Sequence, residues 1–349
     1  MKRLSNPARI IRLIDMIIDS LKLDLKGMVV LTEAASGAFI VTPLIAARAG
    51  AQVVAVARHS AYANVSDVLA YAKEWSQHLG VSNRIMITTD PPITFASKVD
   101  IVTNLGFVRP ISADFVAKLS STAVISLMWE GWEYRGSDLD IQACRNYDIP
   151  VIGTKETHEL LQIFEYLGIV VAKLLLEREI EIFKSKIVLI GSDPFGVAIE
   201  AKLLSLGASV IRLDPSVSSS LTDISDEGID ALVVAEHKDS REIVGDKGCI
   251  DPMELAELGI PLIHISGVVD ICSLNRAGVL KYPTKPVEFG YMTVTADYCG
   301  PRPIIDLHAS GLKVGEVMYR AKKAGLTVAE IERIAVSSGF GSLIPQNIQ

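Results

Sequence analysis

Residues Lys186–Asp214, KIVLIGSDPFGVAIEAKLLSLGASVIRLD, decide the fold of this chain. They predict a buried strand, a glycine turn, an amphipathic helix, a second strand and a terminal acid, the pattern of a dinucleotide-binding βαβ unit. Such a unit uses three glycines: for the tight turn, for the close approach of a pyrophosphate, and for packing of the helix on the strand. Gly191 and Gly196 take the first and third places. Asp193 stands where the middle glycine belongs, and its carboxylate would crowd and repel a phosphate.

The second strand of this unit indicates which cofactor to expect. Asp214 ends the strand, where a carboxylate can accept hydrogen bonds from an adenosine ribose and favours NAD over NADP. Arg212 shares that face one pleat earlier, so we expect it deeper in the sheet and poorly placed for a 2′-phosphate. NAD is therefore the predicted cofactor, bound at Gly191, Asp193, Gly196 and Asp214. A nucleoside or a nucleotide without the full pyrophosphate is the alternative.

The same unit occurs earlier in the chain. Residues Met28–Ala57, MVVLTEAASGAFIVTPLIAARAGAQVVAVA, predict a strand, a turn of small residues, a helix and a second strand. Gly50 and Ala51 align with Gly207 and Ala208 before the second strand of each unit. Two Rossmann-like halves are therefore expected.

Apolar periodicity predicts further elements in both halves. In the first half we expect strands near Arg84–Ile87, Asp100–Thr103, Ala123–Ser126 and Pro150–Ile152, and helices near Val65–His78, Ser112–Leu119 and Asp138–Asn146. In the second half we expect strands near Ala231–Ala235 and Leu262–Ser266 and a helix near Met253–Leu258. Two helices near Leu312–Ala324 and Val328–Ser337 are expected to return to the first domain.

The segment between the halves has helical period from Thr157 to about Ile182, about seven turns, which is too long for a crossover within one sheet. We therefore predict a hinge helix over residues 156–182. It would join a substrate or catalytic domain, residues 1–155 with 300–349, to a nucleotide-binding domain, residues 183–299. The predicted fold is α/β, with two Rossmann-like, doubly wound parallel-sheet domains, a cleft between them and assembly as a homodimer.

Composition narrows the class of protein. The 349 residues carry a net charge of −7 and no long basic run, which argues against nucleic acid or an anionic membrane as a partner. The longest apolar run, Leu167–Leu176, is far shorter than the ~20 residues that span a bilayer. Met1–Leu25 contains three aspartates among its apolar residues and predicts an amphipathic surface helix, not a secretory signal. The widely spaced cysteines indicate reduced thiols and a cytoplasmic protein, and no histidine spacing suggests a metal site.

Several segments resemble the S-adenosylhomocysteine hydrolases and their two-domain relatives among the 2-hydroxyacid dehydrogenases. Asp138–Thr157 is similar to the family's acid-rich helix start, Gly-[Ile/Val]-Pro-Val strand and Lys-Gly-Glu-Thr turn. Ile250–Asp270, which ends in ISGVVD, resembles the segment that ends in an Ile-Gly-His-Phe-Asp turn, and Tyr298–Gly315 resembles the loop and helix that return to the catalytic domain. The resemblance covers most of residues 28–320 and implies a two-domain fold with Gly267 at the cofactor.

The residues that carry the hydrolase chemistry differ in this chain. Val268 stands in place of the turn histidine, and Ala309 stands roughly where the family has the asparagine that holds the nicotinamide amide. The long helix lacks the family's paired lysine and aspartate, and of the substrate-side carboxylates Glu156 persists. We therefore expect a relative with the same scaffold and different chemistry, not hydrolysis of S-adenosylhomocysteine.

Candidate catalytic residues lie in two segments. Glu156 and His158 follow a predicted strand and can share acid–base work at the cleft, although they can equally be first-turn residues of a helix capped by a neighbouring threonine. Arg302, Asp306 and His308 lie in the segment that the resemblance brings to the cleft. His308 is a candidate proton shuttle, with a backbone-bonded histidine as the alternative.

Candidate substrate-binding residues follow the predicted strands of the first half: Glu33, Gly37, Asn104, Arg109 and Glu130. The turn Glu33–Gly37 can instead be a flexible connector, and Arg109 a solvated side chain. The loop around Glu130 carries two acids and three aromatic residues, so we expect it to pack against a ligand, a lid or a second subunit.

These features predict an NAD-linked oxidoreductase, or an enzyme that NAD assists, acting on a small polar metabolite. The alternative is a non-redox protein on the same scaffold. It would be either a transferase that uses an adenosyl ligand or a binding protein that has lost the cofactor.

Overall fold

The computed structural model describes residues 1–215, 221, 228–285 and 287–345, which form two compact units. Unit 1 comprises Met1–Leu161 and Gly300–Gln349, and unit 2 comprises Gln162–Cys299. Each unit is an α/β body built on a mainly parallel sheet, so the predicted fold class is confirmed.

The strands are, in chain order, β1 (Val29–Glu33), β2 (Gln52–Val56), β3 (Ile85–Thr88), β4 (Ile101–Thr103), β5 (Val124–Ser126), β6 (Val151–Thr154), β7 (Lys186–Ile190), β8 (Ser209–Leu213), β9 (Ala231–Ala235), β10 (Glu242–Val244), β11 (Leu262–Ser266), β12 (Val268–Val269), β13 (Lys281–Tyr282) and β14 (Gly341–Ser342). The α-helices of the described ranges are α1 (Pro7–Leu21), α2 (Val41–Arg48), α3 (Val65–His78), α4 (Ala113–Val116), α5 (Ile141–Asn146), α6 (Glu165–Leu176), α7 (Phe195–Ser205), α8 (Pro252–Glu257), α9 (Ile271–Ala277), α10 (Arg302–Lys323) and α11 (Val328–Ser337). None of them is both long enough and apolar enough to cross a bilayer.

The sheet of unit 1 has the order β14-β6-β5-β4-β1-β2-β3, in which only the edge strand β14 runs antiparallel. The chain leaves β1 toward β2 and β3 on one side and continues from β4 to β6 on the other. The strand order therefore reverses between β1 and β4, and open α/β sheets bind ligands at the carboxyl ends of the strands at such a point.

Both faces of this sheet are buried, as a parallel sheet requires. Val30 and Val53 belong to an apolar cluster with helices α1, α2, α3 and α10, whereas their neighbours Leu31 and Val54 belong to a second cluster with α4 and α5. The alternation follows from the two-residue period of a strand.

Unit 2 has a five-stranded parallel sheet of order β13-β11-β9-β7-β8. From the central strand β7 the chain goes to β8 on one side and then to β9 on the other. The switch point of unit 2 therefore lies between the carboxyl ends of β7 and β9.

The hinge-helix prediction over residues 156–182 is wrong in its extent. The observed helix is α6, Glu165–Leu176, and Thr157–Phe164 forms turns. Gln162 has a φ of 45°, and Glu179, beyond the other end, has a φ of 59°; this left-handed region is unfavourable within a helix. Leu160, counted in the apolar pattern, is exposed.

The first returning helix is longer than predicted. The helix α10 begins at Arg302, ten residues before the predicted start at Leu312. Pro303 lies in its first turn, where proline removes no helical hydrogen bond. The prolines therefore mark a helix start and not the loop expected up to Pro303.

The N-terminal segment forms the predicted amphipathic helix. Five side chains of α1 are buried, at helical spacing: Ile10, Leu13, Ile14, Ile17 and Leu21. They join the apolar cluster that covers one face of the unit 1 sheet.

Candidate functional site

The turn after β7 requires its two glycines for close packing. A Cβ atom on Gly196 would lie 2.2 Å from the carbonyl oxygen of Gly191, and one on Gly191 would lie 2.9 Å from the carbonyl oxygen of Ala235. Helix α7 thus starts directly against the end of β7, which is the role of the first and third fingerprint glycines.

A groove of about 690 Å³ lies at the switch point of unit 2. Its lining includes Gly191, Ser192 and Asp193 from the turn, Asp214 from the end of β8, and Glu236 from the end of β9. We call it the unit 2 groove. Three of the five predicted cofactor-binding residues, Gly191, Asp193 and Asp214, line it, and Gly196 supports the turn from behind.

Glu236 closes the inner end of the unit 2 groove. Its side chain is fully buried, and its carboxylate accepts hydrogen bonds from the backbone N–H (2.8 Å) and the hydroxyl (2.7 Å) of Ser192. It also accepts from the backbone N–H groups of Lys238 (2.7 Å) and Asp239 (3.0 Å). Four donors at the switch point thus converge on one carboxylate.

Asp193 is paired, contrary to the simple expectation of an isolated charge. Nη1 of Arg212 lies 2.6 Å from its Oδ1, and Nε of Arg212 lies 3.3 Å from Glu200. The prediction that Arg212 is deep in the sheet is wrong: it is an exposed residue that lines the groove. It reaches the groove because β8 is an edge strand of the described sheet.

Gly267 supports the same region of unit 2. Its φ is 101°, and a Cβ there would lie 3.0 Å from the carbonyl oxygen of Glu236. The carbonyl of Gly267 is 2.9 Å from Nε2 of His264. Gly267 therefore shapes the backbone behind Glu236, and its predicted contact with a cofactor stays a prediction.

In unit 1, three glutamates form what we call the carboxyl cluster: Glu130, Glu133 and Glu156. The backbone N–H of Glu156 donates to Oε1 of Glu130 at 2.8 Å. Oε2 of Glu130 accepts a short hydrogen bond from the hydroxyl of Ser342, on β14. Glu133 and Glu156 share a side-chain hydrogen bond.

Burial makes this cluster a store of protons. Desolvation raises the pKa of Glu133 to about 7, and the positive charge of Arg135 opposes the rise. The pKa of Glu156 is raised well above its ordinary value by burial and then by the nearby charges of Glu133 and Glu130. A carboxyl group whose pKa approaches neutrality can give or take a proton at physiological pH.

Glu33 occupies the switch point of unit 1, at the end of β1. Burial raises its pKa to about 7, opposed by a hydrogen bond from the backbone N–H of Phe107 at 3.0 Å and by the charge of Arg109. Arg109 forms a short ion pair with Asp138 and also lies over the ring of Trp129. Glu33 and Arg109, predicted to bind substrate, are thus brought together.

The loop that carries Glu130 packs on its own chain. The N–H of Gly131 donates to the hydroxyl of Ser342 at 3.1 Å, and the hydroxyl of Tyr134 donates to the carbonyl of Leu139. The ring of Trp129 lies near the guanidinium groups of both Arg109 and Arg135. These contacts provide part of the packing that the sequence required of this loop.

Glu156 and His158 face different neighbours. Glu156 is buried in the carboxyl cluster, whereas His158 stacks on the ring of Phe340 at a centroid distance of 4.2 Å. The alternative of a helix start with Thr154 or Thr157 as its cap is wrong, because the next α-helix begins at Glu165. Thr154 instead lies in β6, where its hydroxyl donates to the carbonyl of Leu127.

The three candidates of the returning segment lie on the first two turns of α10. Arg302 and Asp306 form an ion pair at 3.3 Å, and burial raises the pKa of Asp306 to about 6. Nδ1 of His308 lies 2.6 Å from the hydroxyl of Thr42, and burial lowers the pKa of His308 to about 3. His308 is therefore a neutral, hydrogen-bonded side chain at neutral pH.

Gly37 and Asn104 have structural contacts. Gly37 has a φ of 63°, and its N–H donates to the carbonyl of Lys2. The side-chain oxygen of buried Asn104 accepts a hydrogen bond from the N–H of Met128 at 2.8 Å. Their predicted roles in substrate binding stay predictions.

Two residues of the unit 2 groove were not predicted from the sequence. Glu236 is the first residue after the predicted strand Ala231–Ala235, where ligand contacts concentrate, so its position along the chain is a signal that could have found it. Ser192 lies inside the glycine fingerprint, but a serine in such a turn has no pattern of its own. Its importance comes from its contact with Glu236, which is distant in sequence.

No protein-family model and no curated protein sequence matches this chain. Solved structures do. Dipicolinate synthase from Bacillus subtilis is similar with a TM-score of 0.52 and 10% identity, over 89% of this chain and 99% of that one. The dipicolinate synthase structure from Bacillus halodurans gives 0.50 and 9%, over 82% and 96%. A cofactor(NAD+)-bound 3-phosphoglycerate dehydrogenase from Entamoeba histolytica gives 0.44 and 13%, over 86% and 96%.

At these identities the likeness establishes the fold. The chain has the two-domain Rossmann architecture that the sequence resemblance implied.

Proposed function

We propose that the protein is an NAD-linked oxidoreductase, or an enzyme that NAD assists, acting on a small polar metabolite. The observation that carries the proposal is the unit 2 groove. It combines the glycine turn, an acid at the end of β8 and the switch point of a parallel sheet, the three features by which such folds hold a nucleotide.

The residues of the groove fit the two halves of a dinucleotide unequally. Asp214 lines the groove where a ribose would be held, and the glycine pair keeps the turn tight. The N–H of Ser192, which would face a pyrophosphate, donates instead to Glu236. The groove therefore fits an adenosine, and it does not fit a pyrophosphate while Glu236 keeps this position.

Unit 1 supplies acid–base groups for the proposed reaction. Glu33 and Glu133 have pKa values raised to about 7 by burial, and Glu156 retains its proton still more strongly. We assign proton transfer to these carboxyl groups in preference to His308, whose pKa is lowered to about 3. A small polar metabolite with a hydroxyl or amino group is the class of substrate that such groups serve.

A second candidate function is favoured by the hydrogen bonds of Glu236. A groove whose anion position is filled by a carboxylate suits an adenosyl ligand without a pyrophosphate. The protein would then be a non-redox transferase or a binding protein on the same scaffold. Assembly as a homodimer and a cytoplasmic location stay predictions in either case.

Titration of the purified protein with NADH, followed by nucleotide fluorescence, tests the first candidate. Saturable binding supports the redox function. Absence of NADH binding, together with thermal stabilisation by adenosine, supports the second candidate. Absence of binding by both ligands would contradict the assignment of unit 2 as the nucleotide-binding half.

Replacing Asp193 with glycine should tighten NADH binding by about fivefold, because it removes one acid from the turn and releases Arg212 from its closest carboxylate partner. The measurement is the same fluorescence titration. The matched control is Asp246→Asn, which removes an exposed carboxylate paired with Arg276 and should leave the affinity unchanged. Equal affinities of wild type and D193G would show that the turn is not the phosphate site.

A further inference from the structure

The carboxylate of Glu236 occupies the position where a Rossmann fold presents donors to an anion. It lies at the switch point and accepts from Ser192, in the turn after β7, and from two consecutive backbone N–H groups after β9. A phosphate bound at the end of a glycine turn is held by the same kind of donors. Glu236 thus serves as an internal anion.

The charges around it oppose a second anion. The unit 2 groove is lined by four acids, Asp193, Asp214, Glu236 and Asp239, and by two bases, Arg212 and Lys238. Arg212 is paired with Asp193 and Glu200, and Asp239 is paired with Arg241. A ligand with two phosphate charges would enter a wall that is already negative, whereas a neutral nucleoside brings no such charge.

We propose that Glu236 determines which ligand the unit 2 groove accepts. Its carboxylate holds the pyrophosphate position, so an adenosine-type ligand binds directly and a dinucleotide binds only by displacing that carboxylate from Ser192. The inference rests on the proposed function in one respect, that unit 2 binds a nucleotide-type ligand.

Removing the carboxylate has a defined consequence. Glu236→Ala frees the N–H groups of Ser192, Lys238 and Asp239 and removes one negative charge, so NADH should bind at least about tenfold more tightly than to the wild type. Glu236→Gln keeps the side-chain shape and one acceptor oxygen but loses the charge, so its gain should be intermediate. Adenosine affinity should change by less than about threefold in both variants, since adenosine carries no phosphate.

The experiment measures NADH binding by fluorescence and adenosine binding by calorimetry for the wild type, E236A, E236Q and a control, Asp239→Asn. The control removes one acid from the same wall without freeing a donor of the turn, because Asp239 accepts from Arg241. We expect its NADH affinity to remain within about threefold of wild type. Retained adenosine binding shows that each variant is folded.

The outcomes separate the inference from the proposed function. A tenfold or larger gain for NADH in E236A, with adenosine binding retained and D239N unchanged, supports the inference. Equal NADH affinity of wild type and E236A, with adenosine bound by both, overturns the inference alone. An equal gain in D239N also overturns it, because general charge would then explain the effect. Failure of both ligands to bind every variant overturns the inference and the proposed function together.

Discussion

Gly196→Ala should destabilise unit 2 by about 3 kcal/mol, near the upper end of the usual cost of overpacking. The added Cβ would lie 2.2 Å from the carbonyl oxygen of Gly191 and 3.1 Å from Nη1 of Arg212. The first neighbour is backbone at the end of a central strand, so it cannot move aside without opening the turn. Urea unfolding of the full chain, followed by a probe in unit 2, measures the loss.

The control for this prediction is Ser205→Ala, at the exposed end of the same helix. Its hydroxyl donates to the carbonyl of Lys202, three residues earlier, so its removal should change the free energy of unfolding by no more than about 0.5 kcal/mol. If G196A unfolded at the same urea concentration as S205A, helix α7 would not rest against β7 as described. The unit 2 groove would then lose its geometric basis.

Glu33→Gln should raise the stability of unit 1 at pH 8 by up to ~3 kcal/mol, because the wild-type side chain is ionised there in a buried position. Burial raises the pKa of Glu33 from 4.5 to about 7, so folding favours the protonated form. The stability that Glu33 contributes is complete below pH 4.5 and is lost as the pH rises through about 7. Glutamine keeps a neutral acceptor for the N–H of Phe107 at every pH.

Unfolding of wild type and E33Q by urea at about pH 4.5 and about pH 8 measures this difference. The two proteins should have similar stability at the lower pH and diverge at the higher one. Glu159→Gln, an exposed glutamate of the same unit, should follow the wild type under both conditions. Parallel pH dependence of E33Q and wild type would contradict the raised pKa and weaken the assignment of Glu33 to proton transfer.

The fold was predictable because local patterns and tertiary structure agree over both βαβ units. Gly191 and Gly196 are demanded by a backbone contact that the fingerprint encodes within one short turn. The hinge helix failed because apolar period alone does not reveal a left-handed residue such as Gln162. The early start of α10 was missed because Pro303 was read as a loop residue, although a first helical turn tolerates proline.

The candidate site was only partly predictable, since its contacts join distant segments. Glu130 and Glu156 could each be placed at a strand end, but their hydrogen bond and the role of Ser342 depend on how β14 pairs with β6. Glu236 could be placed after a strand, but its bond to Ser192 depends on β7 and β9 being neighbours. Spacing along the chain carries no record of such pairings.

The central claim is that the unit 2 groove binds an adenosine-type ligand at Asp214. A crystal structure of the protein grown with saturating adenosine tests it most directly. We predict adenosine in the groove, with ribose hydroxyls donating to the Asp214 carboxylate and Glu236 still bonded to Ser192. Adenosine bound elsewhere on the protein, or a groove that stays empty at saturation, would contradict the claim.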